Sequence, residues 1–296
     1  MHSPVCKEIV MKAALYPNFQ KKNALSCARE ACDVLARAGI QTAVSGEFMK
    51  DFADKPQVIF EDMSISAETA DVVLAIGGDG TILRCAKYLI GKDTMLLGIN
   101  TGTLGFMAGL ESDQLDKLKK LKTGDFDISE RMTLDVVCHT PEGDKVRTAL
   151  NEVQGRSGSF RICDFEVFSE DYVVGRYRAD GVLFSTPSGS TAYALSAGGP
   201  IIEPDLECIE MTLICPHSLF SRATLFAAGR RLRMKNTTPV SRGESMVINV
   251  DGEHFCDLHE NESIEICRGS KNIKFIDIIG NSFHESLCTK MCKPIK

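Results

Sequence analysis

Five short stretches of this 296-residue chain carry side chains that could do chemistry. The first is Ile76-Gly77-Gly78-Asp79-Gly80-Thr81, a glycine-rich turn that follows the apolar run Asp71 to Ile76 and opens a helical pattern. Glycines let backbone approach a phosphate, and a helix N-terminus favours an anion. Asp79 is the unexpected member, because a carboxylate repels phosphate. It can accept a proton from an attacking hydroxyl or help hold a divalent metal, or it can be a turn aspartate bonded to its own backbone. The second stretch, Asn100 to Phe106, again ends a strand in a glycine-containing loop. The third is Asn151-Glu152, an amide beside a carboxylate, able to bond a base edge or a ribose diol. The fourth is Asp180-Gly181 followed by Ser185 to Pro200, dense in hydroxyls and glycines with one aromatic ring, Tyr193, that could stack on a base. Ser188-Gly189-Ser190 lacks the G-x-S-x-G elbow of a serine hydrolase. The fifth, Asn249 to Glu253, holds an Asp-Gly pair and reads as a β-turn.

The elements that must position these residues divide in two. The first half alternates: strand at Glu8 to Tyr16, helix at Phe19 to Ala38, strand at Gln41 to Ser45, strand at Asp71 to Ile76, helix at Gly80 to Ile90, strand at Met95 to Ile99, helix at Asp113 to Leu121. Such alternation predicts an α/β domain with a parallel sheet flanked by helices. After residue 129 the pattern becomes all-β, with strands at Arg131 to Thr140, Lys145 to Val153, Ile162 to Phe168, Tyr172 to Ala179, Gly181 to Ser185, Met211 to Cys215, Ser245 to Val250, Ser263 to Cys267 and Ile273 to Ile278. Ser282 to Met291 returns to a helical pattern. The expected domains are therefore 1–129, with 279–296 packing back on it, and 130–278.

Composition excludes several classes. The formal charge of −6 speaks against a general nucleic-acid binder. No apolar run approaches the roughly 20 residues of a membrane span, and Lys7 and Lys12 interrupt the N-terminal apolar stretch. The twelve cysteines contain no C-x-x-C pair, which speaks against structural zinc. They read as reduced thiols of a cytoplasmic protein, mostly small buried hydrophobes.

Taken in order, the motifs between residues 71 and 253 resemble the NAD kinase family, the ATP-NAD and polyphosphate/ATP-NAD kinases. The GGDGT element is shared with diacylglycerol-type lipid kinases, but no amphipathic membrane helix accompanies it here; the run STPSGSTAYALSAGGPI is specific. The resemblance implies an α/β N-terminal domain, a β-sandwich-type C-terminal domain and a C-terminal helix returning to the first. It also implies Mg²⁺-dependent transfer of the γ-phosphoryl group of ATP to the adenosine ribose 2′-hydroxyl of NAD, giving NADP and ADP, by a homodimer or homotetramer. Polyphosphate is an alternative donor. Asp79 matches the family's catalytic aspartate, with Gly77, Gly78, Gly80 and Thr81 around it. Asn151 and Glu152 match an NAD-contacting pair, Asp180 a site aspartate, and Thr191, Ala192, Tyr193, Ala194, Leu195 and Ser196 a contact segment. Arg84, Arg161 and Arg178 fall where members place ligand-facing side chains. Glu253 stands where many members have glutamine, and Ser188 where threonine is common.

Overall fold

The computed structural model describes residues 11–102, 105–140, 143–158, 161–218, 221–239, 241, 245–280 and 287–288. The chain forms two compact units, one gathering the residues up to Ser129 and again from Ile273, the other Glu130–Asn272.

The first unit runs β1 (Lys12–Pro17), α1 (Ala24–Arg37), β2 (Gln41–Val44), β3 (Val58–Phe60), α2 (Met63–Thr69), β4 (Val72–Gly77), α3 (Asp79–Leu89), β5 (Met95–Asn100), β6 (Leu110–Glu111), α4 (Lys120–Thr123) and β7 (Asp127–Arg131). Strands β1 to β5 pair in parallel. β4 is buried at every position, as expected for a strand covered on both faces. Helix α1 turns Ala24, Cys27, Ala28, Ala31 and Leu35 onto the core, and so joins Leu74, Ile76, Leu97 and Ile99 of the sheet. It begins five residues later than its apolar spacing suggests, because Asn23 adopts a left-handed backbone (φ 67°) that breaks the helix upstream.

The second unit contributes β8 (Leu134–Thr140), β9 (Gly143–Ala149), β10 (Glu152–Ser157), β11 (Cys163–Ser169), β12 (Tyr172–Ala179), β13 (Gly181–Ser185), α5 (Tyr193–Ser196), β14 (Cys208–Ile214), β15 (Thr224–Ala227), β16 (Leu232–Asn236), β17 (Met246–Val250), β18 (Glu253–Leu258) and β19 (Ser263–Arg268). They form two six-stranded sheets, ordered β15-β14-β13-β10-β17-β18 and β12-β11-β16-β19-β8-β9. One core joins the inward faces: Val153, Val182, Phe184 and Ile248 from the first sheet meet Leu134, Phe165, Met234 and Ile264 from the second. The strand pairings within these sheets are antiparallel, which makes the unit a sandwich.

Two expectations need correction. The last strand, β20 (Ile273–Asp277), belongs to the first unit: it pairs in parallel with β5 and sits between β5 and β7 in an eight-stranded sheet ordered β3-β2-β1-β4-β5-β20-β7, with β6 on β5. Its apolar pattern is read equally well by either domain, so periodicity alone misplaces it. The continuous strand expected over 145–153 is two strands, β9 and β10, in different sheets. The chain leaves one sheet at Ala149 and enters the other at Glu152, and the break at Leu150-Asn151 frees backbone amides that need other partners. The helix expected at 282–291 lies outside the described residues except at 287–288.

Candidate functional site

In the first unit the glycine-rich turn sits at the carboxyl end of β4, where open α/β sheets bind ligands. Gly78 is extended and caps α3, its carbonyl accepting from the amides of Thr81 and Ile82. Asp79 occupies the first position of α3, where the helix dipole favours a negative charge. Its carboxylate is not bonded to its own turn. Oδ2 accepts the amide of Phe106 at 2.7 Å and Oδ1 that of Met107 at 3.2 Å, so the loop after β5 fixes its orientation. This loop can come so close only because residue 105 is glycine: a Cβ there would lie 2.1 Å from Asp79 Oδ1. The Asn100–Phe106 motif thus acts by holding Asp79. Thr103 and Leu104 lie outside the described residues. On the other flank Asn18 donates from Nδ2 to Thr81 Oγ1 at 3.1 Å, which ties the end of β1 to the turn. Arg84, a turn further along α3, is exposed. It borders a cavity of about 720 Å³ lined by Tyr16, Asn18, Phe19, Phe48 and Tyr88 at the ends of β1 and β2.

In the second unit Asn151 and Glu152 lie at the sheet-to-sheet break. The freed amides of Leu150, Asn151 and Glu152 all donate to the Asp251 carboxylate, at 2.8, 2.8 and 3.1 Å. Asp251 sits at φ 48° in the turn between β17 and β18, and the Asp251 amide returns a bond to Glu152 O. From the opposite side Thr186 Oγ1 donates to Leu150 O at 2.6 Å, and the Thr186 amide to Asn151 O at 2.8 Å. This scaffold leaves two acceptors over. Asn151 Oδ1 and Glu152 Oε2 are buried and have no hydrogen-bond partner among the described residues. Burial, then the like charge of Asp251, pushes the Glu152 carboxyl up to about 7. Buried acceptors on two consecutive residues, without donors among the described residues, suit a ligand that brings hydroxyl donors, such as a ribose diol.

The hydroxyl-rich segment follows β13. Ser188–Thr191 forms a 3₁₀ turn in which Ser190 Oγ donates to Pro187 O at 2.7 Å and accepts the Ile202 amide at 3.0 Å. Ser190 is thus a structural pin between the turn and Ile202. Thr191 Oγ1 donates to Ser188 O. In α5 Ala194 is fully buried while the Tyr193 ring is 40% exposed, free to stack. Thr191, Ala192, Leu195 and Ser196 complete the segment, partly or fully exposed.

The remaining predicted residues are not brought to this place. Asp180 joins β12 to β13 and lies beside the Arg156–Gly181 pair, whereas Glu152 pairs with Ser185 at the other end of the same strands. Four residues of strand separate these ends by about 13 Å. Arg161 lines a small pocket with Ser157, Cys163 and Thr238 at the Asp180 end. Arg178 projects from β12 of the other sheet, exposed and paired with Asp164 at 3.3 Å. Glu253, at the start of β18, is exposed. The residue that sequence reasoning missed is Asp251. The only signal was an Asp at a position needing positive φ; nothing local says that its carboxylate collects three amides from a segment a hundred residues away.

Comparisons with known proteins complete the picture. The ATP-NAD kinase N-terminal domain family matches residues 5–125, and the ATP-NAD kinase C-terminal domain family matches 150–278. The chain is 31% identical over 284 residues to the NAD kinase of Moorella thermoacetica, covering 95% of this chain and 89% of that protein. To the NAD kinase of Acetivibrio thermocellus it is 32% identical over 286 residues, covering 95% and 97%. Yeast NADH kinase complexed with NADH superposes with a TM-score of 0.86 at 21% identity, covering 97% of this chain and 89% of that one. An NAD kinase from Archaeoglobus fulgidus in complex with ATP gives 0.69 at 24%, covering 90% and 93%. The α/β unit with its glycine turn and the antiparallel sandwich thus define a two-domain phosphotransferase fold. The chain belongs to the NAD kinase family.

Proposed function

We propose that the chain transfers the γ-phosphoryl group of ATP to the 2′-hydroxyl of the adenosine ribose of NAD, with Asp79 as the base. The observation that carries the reading is the pair of partnerless buried acceptors, Asn151 Oδ1 and Glu152 Oε2, matched to a diol. These residues orient the ribose, and the Tyr193 ring covers the nucleotide. Asp79 takes the 2′-hydroxyl proton as the phosphoryl group arrives. Its carboxylate is already oriented by two amides, so little rearrangement is needed at that step. Gly77, Gly78, Gly80 and Thr81 let the triphosphate approach the α3 N-terminus, with Arg84 adding positive charge. Magnesium fits as a companion of the triphosphate. Among the described residues no three His, Cys, Asp or Glu side chains converge on a metal position, and Mg²⁺ commonly takes one or two carboxylates plus substrate phosphates. Such an ion would be carried by the triphosphate itself and would neutralise charge on its phosphoryl oxygens, which leaves the Asp79 carboxylate free to take the proton.

Arg161, Arg178 and Asp180 enter this reading through a homo-oligomer. Asp180 lies about 13 Å along the strands from Glu152, Arg161 lines a pocket at that same end and Arg178 projects from the other sheet, so all three serve the dinucleotide bound by a neighbouring copy. Localisation to the cytoplasm belongs to the same reading; among the described residues no helix is long and apolar enough to cross a membrane.

The test is NADP formation by the purified protein from NAD, ATP and Mg²⁺, with parallel reactions on NADH and polyphosphate. We expect product with ATP and a loss of about 10²–10⁴-fold in kcat for Asp79→Asn, with NAD affinity retained. Folded protein that binds NAD but forms no product with either donor overturns the reading; near-normal turnover in Asp79→Asn removes the base assignment.

A further inference from the structure

Beneath the hydroxyl-rich segment lies an acid that the mechanism above does not use. Glu210 is in β14 between Ile209 and Met211, both in the sandwich core, so its side chain stands on the sheet's other face. It is fully buried. Thr212, two residues along the same face, donates from Oγ1 to Glu210 Oε1 at 2.6 Å, while Glu210 Oε2 has no partner among the described residues. A buried acid with one partner costs free energy that a leucine would not. Burial pushes its carboxyl above the ordinary carboxylate range, the Thr212 hydroxyl pulling the other way.

What rests on this acid is the end of the hydroxyl-rich segment. A Cβ at Gly199 would lie 1.9 Å from Glu210 Oε1, 2.9 Å from Thr212 Oγ1 and 3.0 Å from Ala194 O. The backbone at 199 therefore lies directly on the carboxyl group. The turn above closes on itself, with the amides of Ala197, Gly198 and Gly199 donating to the carbonyls of Tyr193, Leu195 and Ala194. In register, Glu210 pairs with Ser185, and Ser185 with Glu152. The seat of the segment and the proposed ribose acceptor thus occupy one row across three neighbouring strands. Ser185 Oγ, between them, is likewise buried without a partner among the described residues.

We propose that Glu210 is a positioning residue for the reaction: with Thr212 it forms the seat that holds the Tyr193–Gly199 segment in the shape that receives the dinucleotide. This rests on the reading that the segment contacts NAD, and the experiment separates the two ideas. On the full-length enzyme, hydrogen-exchange protection of peptides covering 193–200 is measured together with kcat, KM for NAD and KM for ATP. Glu210→Ala is expected to lose protection in that segment and to raise KM for NAD about tenfold to a hundredfold, with kcat and KM for ATP changed less than about threefold. Glu210→Gln keeps the size and the neutral hydrogen bonding, and restores both readouts. Gly199→Ala, which forces a methyl onto the seat, raises KM for NAD, and less so when combined with Glu210→Ala because the obstructing oxygen is gone. Unchanged protection in Glu210→Ala, or a loss in Glu210→Gln equal to that in Glu210→Ala, overturns the seat. Lost protection with an unchanged KM for NAD, together with a silent Tyr193→Ala, instead overturns the dinucleotide reading of the segment. Should Glu210→Ala not fold, Gly199→Ala and Thr212→Val carry the same two readouts.

Discussion

Replacing Glu152 by glutamine should make the second unit more stable at alkaline pH and less capable of binding its ligand. The carboxyl is pushed from its ordinary 4.5 up to about 7, first by burial and then by Asp251. The folded state therefore holds this proton more tightly than the unfolded chain does. Its contribution to stability is fully present below pH 4.5 and is lost as pH rises through about 7. A separation of about 2.5 pH units, at about 1.4 kcal/mol each, amounts to about 3 kcal/mol, a large share of a domain's net stability. Glutamine keeps the shape and never ionises, so the variant should gain up to about 3 kcal/mol on the native protein between pH 5 and pH 8.5. The chain has no tryptophan, so urea unfolding is best followed by pulsed hydrogen exchange on peptides spanning 150–157 and 181–186, which reads the second unit by itself. In the same pH interval NAD should bind the native protein more tightly as Glu152 ionises and becomes the better acceptor, while the variant shows no such rise. Stability curves of the two proteins that stay parallel from pH 5 to pH 8.5 would refute the reasoning.

Other perturbations follow from the same geometry. Gly105→Ala places a methyl 2.1 Å from Asp79 Oδ1; kcat should fall about a hundredfold with the thermal midpoint almost unmoved, and retained turnover would show that the loop yields freely. Asp251→Ala strands three amides at the β9–β10 break, and should cost about 3–5 kcal/mol, read as a lower urea midpoint for the 150–157 peptide. Mixing inactive Glu152→Ala and Asp180→Ala proteins, with subunit exchange, should regain about a quarter of native activity if neighbouring copies complete one another's sites in a dimer; no recovery in demonstrably mixed oligomers rules that out.

The parts of this protein legible in the sequence are those governed by neighbours in the chain. β4 announces itself as a continuous apolar run because it is covered on both faces, and the glycine turn after it shows where α3 begins. Tyr172–Ala179 and Gly181–Ser185 are bounded by turn residues and emerge with their expected limits. The short β3 and α2, with β7, β15 and β18, escape notice because few or half-buried residues give no clear period, and β16 because its alternation lasts only five residues. The break at Leu150-Asn151 is invisible locally: apolar residues on both sides continue the alternation, and only Asp251, far along the chain, makes the interruption tolerable. Six of the ten described cysteines behave as small hydrophobes. Cys27, Cys32, Cys85, Cys138, Cys163 and Cys256 are buried and unbridged, and burial pushes the Cys27 thiol up to about 11 and that of Cys32 to about 12.

The placement of β20 has a consequence for the newborn chain. An interior strand of the first sheet is encoded after the entire sandwich. On the ribosome, β5 emerges with one edge lacking the neighbour it will finally have, apart from the two-residue β6. Translation at about 5–20 residues per second keeps β5 waiting roughly 10–35 s for that neighbour. Throughout that interval the apolar edge Met95–Asn100 is open to mispairing, while the sandwich has all its strands and can fold first. A nascent chain stalled before Ile273 should therefore yield a finished second unit tethered to an incomplete first one, and it is the late arrival of five residues that closes the sheet from which Asp79 projects.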